Sequence, residues 1–192
     1  MTIGGVAHPL QRPLFVLATQ NPIEQEGTYA LPEAQLDRFL LNVVMSYPSA
    51  EEERAILAQT TTSEVRAASP VATAEDIERA RLLVREVAAA GNVVDYAARL
   101  VRATRPVDGD EAPDFVRRYV RWGAGPRAGQ SLLLAGKARA VMHGRPAVSL
   151  EDVAAVAPPV LRHRVLVNFE AEAEGVDAEA VVGRLLEAVA AR

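Results

Sequence analysis

The sequence predicts a mostly helical chain, with an α/β portion confined to residues 1–48. Two observations carry that expectation. From Ser49 onward the apolar residues recur about every 3.6 positions, the repeat of an amphipathic helix, and capping residues stand at the starts of these periods. Before Ser49 the pattern is instead one of short β-prone runs punctuated by glycine and proline.

Taken in order, Thr2 to Val6 and Leu14 to Ala18 are β-prone, and Gly4-Gly5 and Pro9 to Pro13 read as turns between them, so the opening is expected to be the end of a hairpin. Leu14-Phe15-Val16-Leu17-Ala18 is continuously apolar, which suits a strand covered on both faces in a parallel sheet. Leu40 to Met45 is the other good candidate strand. Two strands fall short of a stable parallel sheet, so the sheet is expected to be incomplete.

Ser49-Ala50-Glu51-Glu52 is a capping box that opens the helical part. Thr73-Ala74-Glu75-Asp76 opens a second helix, with Ile77, Ala80, Leu83, Val84 and Val87 on one face. Gly91-Asn92 reads as its stop, ahead of a helix over Val93 to Arg102. Ser149-Leu150-Glu151-Asp152 starts another helix, and Asp177 caps a last one that runs to about Ala190. Residues 60–72 and 107–113 are small and polar and read as loops. The domain boundary therefore falls near Pro48, dividing residues 1–48 from 49–192.

Composition excludes several functions. With 49% apolar residues in 192, the chain can bury a core. A net charge of -4 supplies no global attraction for nucleic acid or an anionic membrane. There is no cysteine, and His8, His143 and His163 are too scattered to suggest a metal-ligand pair. No stretch approaches the roughly 18 apolar residues of a membrane span, and no basic-then-apolar leader opens the chain; the expectation is a cytoplasmic protein. Lys137 is the single lysine among 21 basic residues, a skew of the kind GC-rich genomes produce.

Two clusters suggest chemistry. Thr19-Gln20-Asn21-Pro22 follows the apolar run, and Pro22 disfavours helical geometry at Asn21, holding it where ligands of open α/β sheets bind. An amide there can orient a water. Trp122-Gly123-Ala124-Gly125-Pro126-Arg127-Ala128 sets glycines before a proline suited to a first helical turn, so Arg127 is expected at a helix N-terminus, where free amides and the helix dipole favour an anion. In isolation each cluster reads equally as a turn or a loop-to-helix junction, and Asp37-Arg38 as an exposed surface pair of little energetic worth.

Other patterns fail. Gly136-Lys137 lies in an apolar helical run, with Ala138 where a phosphate loop needs Ser or Thr. Gly129-Gln130-Ser131 lacks the second glycine of a nucleophile elbow, because Leu133 occupies that place.

The segment from Ala18 to Phe39, with Ala18-Thr19-Gln20-Asn21-Pro22, Glu24-Gln25-Glu26-Gly27-Thr28 and Leu31-Pro32-Glu33-Ala34-Gln35-Leu36-Asp37-Arg38-Phe39, resembles the MoxR family of AAA+ ATPases. Gly123 to Arg127 resembles that family's sensor 2, usually Gly-Ala-Ser-Pro-Arg, with Gly125 here in place of the serine. Val160-Leu161-Arg162-His163-Arg164-Val165 and Asn168 to Glu172 resemble its lid, so the likeness covers nearly the whole chain. The resemblance implies an α/β remnant of the AAA+ core followed by an all-helical lid.

It also implies roles. Asn21 takes the sensor 1 position, Arg38 the arginine finger that reaches a neighbouring subunit's nucleotide, and Arg127 sensor 2, with Asn21 and Arg127 at the ATP. The partners implied are identical or related AAA+ subunits in a ring, six by family, acting on client proteins by chaperone-like remodelling, with ATP and Mg2+ as cofactors. The triplet Arg162, His163 and Arg164 reads as a solvated basic helix end. A glycine-rich phosphate loop (Walker A) and an acidic pair on an apolar strand (Walker B) appear nowhere in the 192 residues, so this chain alone is expected neither to bind ATP tightly nor to turn it over. The alternative is a non-catalytic helical module that docks on an intact ATPase subunit.

Overall fold

The computed structural model describes residues 2–20, 31–62, 68–107 and 112–190, which fall into two compact units. One comprises Met1–Val16 and Val43–Ala80, the other Leu17–Asn42 and Arg81–Arg192.

The first unit opens with an antiparallel hairpin, β1 (Thr2–Ile3) on β2 (Val6–Ala7), in the register Thr2 to Ala7 and Ile3 to Val6. Gly4 and Gly5 turn it with φ of 56° and 82°, a pair of positive values that glycine adopts without a Cβ clash. The expected hairpin is present. α2 (Ala50–Thr60) starts at the expected capping box: the Ser49 amide donates to Glu52 Oε2 at 2.8 Å and the Glu52 amide to Ser49 Oγ at 3.3 Å. α3 (Ala74–Glu86) starts the same way, with the Thr73 amide on Asp76 Oδ2 at 2.9 Å and the Asp76 amide on Thr73 Oγ1 at 3.1 Å. Neither helix contains a buried residue, and Ile77 and Leu83 of the expected apolar face are exposed.

The two runs expected as parallel strands are corrected. Among the described residues the sheets are β1 with β2 and β3 with β4 alone, and residues 14–18 and 40–45 join neither. Phe15 and Leu17 are 80% and 83% exposed, and Met45 is 87% exposed. A continuous apolar run describes one side of a ladder only. The pairing also needs a neighbour's N–H and C=O groups, and no described residue offers them.

The second unit holds the core. α4 (Gly91–Ala103) buries Val93, Tyr96, Ala97, Leu100 and Val101 on one face and packs on α6 (Pro126–Met142) and α9 (Ala178–Ala190). α6 also packs against α7 (Leu150–Leu161), where small residues bring the axes together: a Cβ on Gly136 would meet Val148 Cγ2 at 3.1 Å. Leu100, Leu132, Leu161 and Leu185 are fully buried, each worth about 1.5–3 kcal/mol of transfer free energy. α5 (Asp114–Tyr119), β3 (Val120–Trp122), β4 (Leu166–Val167) and α8 (Phe169–Ala173) complete the unit, with β3 antiparallel to β4 through a bulge.

Local caps act where expected. The Ser149 amide donates to Asp152 Oδ2 at 3.0 Å at the start of α7, and Asp177 Oδ1 accepts from the Ala180 amide at 2.8 Å at the start of α9. Gly91 is different: α3 ends at Glu86 and Gly91 is the first residue of α4, not a stop. The linker is held by tertiary contact instead, through buried Val87 and an isolated bridge between Ala88 and Ala147.

Candidate functional site

Arg127 stands in the first turn of α6, as expected, with Pro126 at the helix start and Gly125 as an N-cap that makes no side-chain bond. The loop before it is tightly built. Fully buried Thr104 donates through Oγ1 to Val101 O at 2.6 Å and accepts the Ala124 amide at 2.8 Å, while Arg105 Nε donates to Ala124 O at 3.0 Å. A Cβ on Gly123 would lie 2.4 Å from Thr104 O and 2.8 Å from Arg105 Cα, both backbone atoms that cannot move aside. Gly123→Ala is therefore expected to cost about 1–3 kcal/mol or more. A thermal melt with an unchanged midpoint would contradict that reading of the loop.

Opposite Arg127 lies the Leu-Asp-Arg-Phe segment, which follows the four-residue α1 (Glu33–Leu36). Asp37 Oδ2 accepts from Arg127 Nη1 at 2.7 Å, and Asp37 Oδ1 accepts from Arg164 Nε at 2.9 Å, so one carboxylate joins two guanidinium groups. Burial pushes the Asp37 carboxyl up, but the bonds and charges of Arg164 and Arg127 outweigh it and hold the group below its ordinary value. Arg38 is exposed, and among the described residues no hydrogen bond or ion pair engages its guanidinium. Asn21 lies outside the described residues.

The triplet after α7 corrects an expectation. Arg164 is not solvated: its side chain is 2% exposed, and it donates to Asp37 O at 2.9 Å, Phe39 O at 2.5 Å and Val160 O at 2.5 Å. Arg162 Nη1 donates to Asn42 O at 3.3 Å and its Nη2 to Glu179 Oε1 at 3.0 Å, and His163 Nε2 sits 3.3 Å from Phe39 O. The Asn42 amide donates in return to Pro159 O at 2.8 Å. The cause lies at the C-terminus of α7, where the last carbonyls have no partner within the helix. Those of Pro158, Pro159 and Val160 are taken by the Arg162 amide, the Asn42 amide and the Arg164 side chain. Burial lowers the His163 pKa, aided by the Arg164 charge beside it, and its Nδ1 is buried with no partner. A basic triplet after a helix was the one sequence signal, and it read as surface.

Among the described residues no group of His, Asp and Glu is arranged to hold a metal, and no helix is long and apolar enough to cross a membrane. What the geometry offers is an anion site: a helix N-terminus with Arg127, beside an exposed Arg38.

The comparisons give this arrangement a class. The family model for the AAA lid domain matches residues 114–185, and that for the ATPase family associated with various cellular activities (AAA) matches residues 1–41. The chain is 40% identical over 194 aligned positions to Chaperone MoxR1 of Mycobacterium tuberculosis, covering 99% of this chain and 50% of that protein. It is 38% identical to protein YeaC of Bacillus subtilis, covering 98% of this chain and 56% of that one. A crystal structure of a candidate ATPase from Cytophaga hutchinsonii, 35% identical, superposes with a TM-score of 0.88 over 97% of this chain and 57% of that chain. The chain belongs to the MoxR family of AAA+ ATPases. It spans about half the length of these relatives.

Proposed function

We propose that this chain contributes the sensor and finger residues of an ATP-hydrolysing site in a ring of MoxR-type subunits, which remodels client proteins. In this reading residues 1–48 are the end of the AAA+ core and residues 49–192 its lid. The observation that carries it is the pairing at Asp37: the helix-terminal Arg127 is tied 2.7 Å from the segment whose next residue, Arg38, has no partner among the described residues. One arginine faces an anion-favouring helix end and the other stays available.

Arg127 would make a charge-assisted bond to a phosphate oxygen, and Arg38 would offset charge developing on the transferring phosphoryl group of a neighbouring subunit's nucleotide. Asn21 would orient the attacking water. ATP and Mg2+ supply the phosphoanhydride and its charge neutralisation when bound. The ring, the client proteins and a cytoplasmic setting belong to the same proposal.

The test mixes this chain with a MoxR-type subunit that carries a phosphate loop and follows ATP hydrolysis. Stimulation is expected from the mixture, with no turnover and no tight ATP binding by this chain alone. Micromolar ATP binding to the isolated chain in a calorimetric titration would overturn the second part. Stable association without stimulation would support a non-catalytic docking module instead.

A further inference from the structure

We propose that Arg164 is a positioning residue for Arg38, a role that rests on the reading of Arg38 as a phosphate-facing arginine. α1 has four residues, none buried, and no side-chain cap. A helix that short does not hold itself, because nucleation is not repaid by enough propagating bonds. Its C-terminal side is held from outside. Arg164 donates to Asp37 Oδ1 and Asp37 O at 2.9 Å each, to Phe39 O at 2.5 Å and to Leu40 O at 3.4 Å, so its bonds fall on both sides of residue 38 and leave the Arg38 side chain untouched.

The clamp is itself anchored. Arg164 also donates to Val160 O at 2.5 Å and Ser131 Oγ at 3.3 Å, which ties the same guanidinium to α7 and α6. Planarity matters here. Five donors in a fixed fork serve six acceptors around one plane, whereas a lysine ammonium has three donors about a point. Through Asp37, Arg164 also orients the carboxylate that holds Arg127. The molecule thus presents two arginines from one buried third, and the buried one touches no nucleotide in this scheme.

The test uses Arg164→Lys with two readouts. Hydrogen exchange on this chain should rise about tenfold or more at the Arg38 and Phe39 amides, while the amides of α4 and α9 change less than about twofold. In the mixture with a phosphate-loop subunit, kcat should fall about tenfold with KM for ATP within about twofold, and adding Arg164→Lys to Arg38→Ala should cost nothing further. Exchange that rises throughout the unit, or does not rise at all, overturns the proposal. So does local loosening with kcat unchanged when Arg38→Ala abolishes stimulation. If Arg38→Ala leaves stimulation intact, the reading of Arg38 fails and the positioning role falls with it, while the exchange result still shows the clamp. Should Arg164→Lys not fold, Asp37→Ala removes one of the same bonds from the other side; local loosening with reduced kcat is expected, and the absence of either overturns the proposal.

Discussion

Arg38→Ala is expected to abolish the stimulation of ATP hydrolysis, by roughly a thousandfold in the assembled site, on the scale that arginine fingers reach in other phosphoryl-transfer enzymes. The fold should not register the change. The side chain is exposed and no described residue pairs with it, so its removal should alter stability by no more than about 0.5 kcal/mol. The loss belongs to the transition state, where charge develops on the transferring group, so kcat should fall with little change in KM. Arg38→Lys keeps the charge but not the planar fork and should recover only part of the rate. Steady-state kinetics of the mixture beside a thermal melt of each variant decides it: full stimulation by Arg38→Ala would remove the finger assignment.

The largest expected effect on stability is at Asp152, which is fully buried at the start of α7. Its carboxylate accepts from Arg145 Nη1 at 2.5 Å and Nη2 at 2.6 Å, from Arg139 Nη1 at 2.6 Å and from the Ser149 amide at 3.0 Å. Asp152→Ala removes all of these and the helix cap together. Breaking a buried pair costs about 3–5 kcal/mol, and because Arg139 and Arg145 are each 36% exposed and can turn to water, the lower end applies. That corresponds to a fall of about 10 °C in melting temperature.

The pH dependence follows from the sign of the shift. The Arg145 hydrogen bond, ahead of the opposing effect of burial, holds the Asp152 carboxyl well below the ordinary carboxylate range. Its folded value is depressed, so its contribution is complete above the unfolded value of about 3.9 and is lost as pH falls toward the folded one. The gap between wild type and Asp152→Ala should be constant near neutrality and narrow below about pH 4. A gap that stays constant through that acid range would show that packing, not charge, accounts for the loss.

Much of the helical part was legible because caps are local. Ser49 with Glu52, Thr73 with Asp76, Ser149 with Asp152, and Asp177 with the Ala180 amide each satisfy donors three residues away, so the sequence spacing already contains the geometry. Pro126 before Arg127 is equally local, which is why sequence placed that arginine at a helix N-terminus. Gly91 was misread for a related reason: glycine is permissive at either end of a helix, and what ends α3 is the contact of Val87 and Ala88 with a distant segment.

The sequence by itself determined a helical chain, its hairpin, its helix starts and the positions of Arg38 and Arg127 within a family pattern, because these depend on residues within a few positions of one another. Only the tertiary structure decided that residues 14–18 and 40–45 pair with no described strand, and that Arg164 is a buried clamp on the Arg38 segment. A ladder needs a second backbone, and Arg164 meets Asp37 across 127 positions of chain. Neither a missing strand partner nor a long-range acceptor leaves a mark in local spacing, and burial turns a surface-like basic triplet into an anchor only once those carbonyls are brought to it.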